Sequence, residues 1–127
     1  MNSVIDEWIK KAEADYQTAV RESSVQNDAN YDAVCFHAQQ CIEKLMKALI
    51  SKNKIIPPKT HDLTLLHQML PVDDQTHLNI QQLRFLSNAA VAFRYPGESA
   101  DKTDAGESLQ ICNQLRQVLH KQLEYRP

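Results

Sequence analysis

The chain has 127 residues and a net charge of −2, enough length for one hydrophobic core and too little positive charge to hold duplex DNA by bulk attraction. Only two glycines occur among many Ala, Leu, Gln and Lys, which excludes a strand-and-tight-turn architecture and points to helices. No apolar run approaches membrane-spanning length, and the amino-terminal stretch MNSVIDEWIKK is amphipathic rather than apolar, so a cytoplasmic protein without membrane contact is expected.

Ser3 is placed to cap a first helix, answered by Asp6 in the manner of a capping box. Ile5, Ile9, Ala12, Tyr16 and Ala19 then recur at alternating steps of four and three, a buried stripe on a helix running to about Val25. The segment QNDAN breaks it. A second helix is expected from about Asn30 to Lys52, with Val34, Ala38, Ile42, Leu45 and Leu49 in one apolar sector. His37, Gln40, Lys44 and Lys47 stack beside that sector as a polar stripe.

Pro57 and Pro58 force KIIPPKTHD into an extended connection. Asp62 is placed to cap a short helix, LTLLHQML, that Pro71 stops. The next helix is expected from a cap at Asp73 or Asp74, carrying Leu78, Leu83, Leu86, Ala89, Ala90 and Phe93 and ending at RYPG. A polar loop, ESADKTDAGES, leads to a last helix with Ala105, Leu109, Cys112, Leu115, Leu119 and Leu123 inward. The fold expected is all-α: an antiparallel bundle of four to five helices, one domain over residues 1–127.

The sequence holds no Gly-rich phosphate loop, no GxSxG and no HExxH. His37, His61, His67, His77 and His120 form no i, i+4 pair, so no metal and no cofactor are expected. Cys35, Cys41 and Cys112 are odd in number, lack CxxC spacing, and read as small apolar packers. Taken alone, the stripe on the second helix is a solvated face, KTHD a loop and cap, and RYPG a helix stop.

Together, WIKKAEADYQTA, YDAVCFHAQQCIEKLMKALI, PPKTHDLTLL and FRYPGE resemble the HEPN domain family of small prokaryotic helical proteins. The resemblance runs from Trp8 to the last helix. It implies a helical bundle that dimerises, of the nucleotidyltransferase substrate-binding-subunit type. It further implies work on nucleotides or RNA beside a minimal nucleotidyltransferase partner. Many relatives are ribonucleases, several of them toxins of toxin–antitoxin pairs, whose motif is an arginine followed after four to six residues by a histidine. No arginine here has a histidine at that offset; Arg116 and His120 come nearest, with three residues between.

The same residues suit anion recognition. Lys44 and Lys47 would act as point charges and Arg94 as a planar fork, with Gln40, His37 and His61 adding hydrogen bonds and Tyr95 stacking on a base. Asp15, beside the buried stripe of the first helix, would orient a cation. A nucleotide- or RNA-binding module without nuclease activity is the leading expectation. The alternatives are an interaction subunit that docks a nucleotidyltransferase, and a ribonuclease using a displaced histidine such as His37 or His61.

Overall fold

A computed structural model describes residues 3–126, and among these there are six helices and no strand. They are α1 (Ser3–Ser23), α2 (Tyr31–Lys52), α3 (Leu63–Gln68), α4 (Val72–Thr76), α5 (Ile80–Ala92) and α6 (Lys102–Leu123). Among the described residues no helix is long and apolar enough to cross a membrane.

The periodic apolar residues explain the packing. Helix α2 occupies the centre and packs on α1, α6, α5 and α3. Its Ile42, Leu45 and Leu49 are fully buried, as the stripe requires, and meet Ile5, Ile9 and Ala12 of α1 in one cluster. Leu83 and Leu86 of α5 and Cys112, Leu115 and Leu119 of α6 complete it. Tyr16, expected inside, is only partly buried, and Asp15 beside it takes the interior position. The three cysteines are free and buried. Burial raises the thiol pKa of Cys35, while the neighbouring Cys112 thiol, followed by burial, raises that of Cys41.

Helix ends depart from the sequence reading in three places. Ser3 is itself helical rather than a cap preceding the helix. The helix expected from Asp73 or Asp74 onward is two helices. Pro71 caps α4 without a side-chain bond, and Asn79 starts α5 by accepting from the backbone N–H groups of Gln81 and Gln82. An Asn side chain that satisfies two orphan helix donors competes with continuing the earlier helix, and here it wins. Helix α6 begins at Lys102, inside the expected polar loop. Asp101 and Asp104 close a reciprocal capping box there, each side chain accepting from the other residue's backbone N–H.

The turn after α5 is as its sequence demands. Glu98 N–H donates to the Tyr95 carbonyl across Pro96 and Gly97, and Gly97 has φ +91°. That backbone conformation suits glycine, and proline before it fixes the turn. Arg94 therefore leaves the end of α5 immediately ahead of a stiff corner.

Candidate functional site

Two carboxylates on the central helices organise the polar residues singled out by the sequence. Asp15, buried on α1, is bridged by two side chains of α2. His37 Nδ1 lies 2.8 Å from its Oδ1 and Lys44 Nζ 2.5 Å from its Oδ2. Asp15 is thus paired within the protein to Lys44 and His37.

Glu43 organises the second group. It sits on α2, only 3% exposed, and its carboxylate is enclosed by donors. Lys47 Nζ reaches Oε2 at 3.1 Å, His61 Nδ1 approaches Oε1 at 2.9 Å, and Gln40 Nε2 donates to Oε1 at 3.1 Å. Gln39 adds a longer bond to Oε1 at 3.3 Å and anchors the extended connection by donating to the His61 carbonyl at 2.9 Å. Lys47 is buried and also lies 5.6 Å from the centre of the Trp8 ring. Burying Glu43 costs free energy unless it is paired and hydrogen-bonded, and this donor set meets that requirement.

Above Glu43 opens a pocket of about 130 Å³, lined by Phe36, Gln39, Gln40, His61, Ser87, Ala90, Val91 and Arg94. Helix α2 supplies the Phe and Gln walls, the 59–62 connection brings His61, and α5 with its exit brings Arg94. Ser87 ties the connection to α5 by accepting from the Leu63 backbone N–H at 3.1 Å. His61 is exposed on its outer side, 72% by side chain, so its Nε2 edge is accessible. Arg94 is exposed, and its guanidinium makes no hydrogen bond or ion pair among the described residues.

The structure thus joins Gln40, His61 and Arg94 in one pocket and places Lys47 beneath it on the shared carboxylate. His37 and Lys44 belong to the Asp15 cluster. The link between the clusters is Phe36, which lines the pocket and meets the His37 ring edge-on at 5.2 Å. Tyr95 is 65% exposed and lies outside the pocket lining. Sequence reasoning missed Glu43 as the organising group. Its signal was present: Gln39, Glu43 and Lys47 stand at successive i, i+4 steps on one helix face.

A third carboxylate, Glu13, receives the Arg116 fork, at 3.0 Å from Nε and 2.5 Å from Nη2, and His120 Nε2 at 3.1 Å. Arg116 also lies over the Tyr16 ring, its Cζ 4.0 Å from the ring centre. The pair closest to the ribonuclease spacing is therefore committed to fastening α6 onto α1.

Comparison with known proteins agrees with this architecture. The model of the HEPN domain matches residues 5–123. The crystal structure of TT1696 from Thermus thermophilus superposes with a TM-score of 0.79 at 20% identity, covering 96% of this chain and 99% of that one. The structure of ST0689, described as an archaeal HEPN homologue, gives a TM-score of 0.68 at 25% identity, covering 97% and 99%. No curated protein matches. With the family model spanning nearly the whole chain and both folds alike, the chain belongs to the HEPN domain family.

Proposed function

We propose that the pocket bordered by Arg94, His61 and Gln40 binds the phosphate of a nucleotide or of RNA. The observation that carries this reading is the contrast between cations. Lys44 and Lys47 are each held on a buried carboxylate, whereas Arg94 stands at the pocket rim with no protein partner among the described residues. A guanidinium offers paired donors matched to phosphate oxygens. Exposed Phe36 and Tyr95 near that cation suit a base-bearing ligand, because aromatic faces stack on bases of any sequence. Binding without cleavage fits the absent arginine–histidine motif and the engagement of Arg116 and His120 by Glu13.

Substituting Arg94→Ala is expected to weaken binding of a short single-stranded RNA about 10- to 150-fold, the worth of a charge-assisted hydrogen bond. Arg84→Ala, an exposed arginine of α5 outside the pocket lining, is the control. Equal affinity of Arg94→Ala and wild type in a fluorescence anisotropy titration would remove the assignment. A second reading, docking of a nucleotidyltransferase partner, is favoured by Ile55 and Ile56, the latter 91% exposed. In that case Ile56→Asp would abolish co-sedimentation with the partner and Arg94→Ala would not.

A further inference from the structure

The hydrogen-bonding groups of the pocket are turned by the carboxylate beneath them. An ionised carboxylate only accepts, so the Gln39 and Gln40 amides both present nitrogen to Glu43. Gln40 Nε2 also donates to Gln39 Oε1 at 2.9 Å, which occupies both of its protons. Its Oε1 is left as an acceptor with no donor among the described residues. His61 likewise donates from Nδ1, which leaves Nε2 open, an acceptor in the neutral ring and a donor in the charged one. Phe36, Ala90 and Val91 supply apolar walls, and among the described residues Arg94 is the one permanently charged cation in the lining.

We infer that the pocket takes a single nucleotide unit whose base carries an amino group, its phosphate on Arg94. This rests on the pocket being the phosphate-binding site proposed above. Glu43 below keeps the phosphate at the rim, and the apolar walls admit the flat base. An exocyclic amino N–H of adenine, cytosine or guanine then meets Gln40 Oε1. Uracil brings no amino group, and its one N–H is flanked by carbonyls that would face an acceptor. One guanidinium fork pairs with the oxygens of one phosphate, so further phosphates gain no partner in the lining among the described residues. The unit is either a free mononucleotide or one residue of a single strand.

Isothermal titration of the intact protein with AMP and with purine riboside 5′-monophosphate, the same ring without its amino group, tests the inference. AMP is expected to bind about three- to tenfold tighter, the worth of one hydrogen bond. ATP without divalent cations is expected within about threefold of AMP. Gln40→Met is expected to equalise AMP and the analogue, with its thermal melt reporting that the fold persists. A short oligoadenylate that binds about tenfold or more tighter than AMP assigns the strand as the source; an equal affinity assigns the mononucleotide. Equal binding of AMP and the analogue by wild type, with Arg94→Ala still impaired, overturns the amino-base inference and leaves the phosphate site standing. ATP binding far more tightly than AMP overturns the single-phosphate part of the inference and leaves the phosphate site standing. Binding that Arg94→Ala leaves unchanged overturns both.

Discussion

Two opposing effects meet at Glu13. Burial raises its pKa, and the hydrogen bonds and charges of Arg116 and His120 outweigh burial, holding the carboxyl below its ordinary 4.5. A carboxylate depressed in the folded state contributes stability that is present above its unfolded pKa and is lost as pH falls through the folded value. Glu13→Gln is therefore expected to cost about 1.5–3 kcal/mol at neutral pH, the range for hydrogen bonds to charged groups. Its deficit should shrink below pH 4.5 and vanish once wild-type Glu13 is protonated. Urea melts of both proteins at about pH 7 and about pH 3 measure this. A deficit of equal size at both values would show that the ion pair is not its cause. Glu43 acts differently at the same scale: its effect is to turn the surrounding amides and imidazole, which decides what the pocket offers a ligand.

Among the elements, α1 and α2 were readable because long apolar stripes survive any uncertainty at their ends. The short α3 was readable from Asp62, which caps it by accepting from the Thr64 backbone N–H. The break before α5 was not, since Leu78 keeps the apolar pattern running across it and only Asn79 marks the restart. The start of α6 was hidden because Lys102 to Ser108 include Gly106 and short polar residues of low helix propensity, which the capping box offsets. The candidate site was legible as a set of residues and not as a geometry. Helix spacing put His37, Gln40, Lys44 and Lys47 on one stripe, but which carboxylate takes which cation depends on tertiary neighbours such as Asp15.

The end of α2 yields a second prediction. Ile55 N–H donates to the Ile50 carbonyl and Lys54 N–H to that of Ser51, a Schellman closure in which Lys54 has φ 64°. A side chain in that left-handed conformation costs about 1–2 kcal/mol, part of which glycine would recover. Lys54→Gly is expected to raise the melting temperature by a few degrees in differential scanning calorimetry. A lower melting temperature would contradict the strain.

For the whole molecule, a homodimer is the state that we propose. The AAVA segment divides its surface: Ala89 and Ala90 are buried within the protomer, while Ala92, outside the pocket lining, faces outward and is open to a partner helix. Light scattering at roughly tens of micromolar is expected to give twice the chain mass. A monomer mass there contradicts the dimer.

We propose that the Glu43-based pocket, rather than the Asp15 cluster or another face, receives the ligand. An amide and side-chain NMR titration of the ¹⁵N-labelled protein with AMP tests it most directly. Shifts are expected to concentrate at Gln39, Gln40, His61, Ser87, Val91 and the Arg94 guanidinium, with Arg84 and the Trp8 indole unmoved. Shifts confined to Trp8 and Lys11, or spread evenly over exposed lysines, would contradict it.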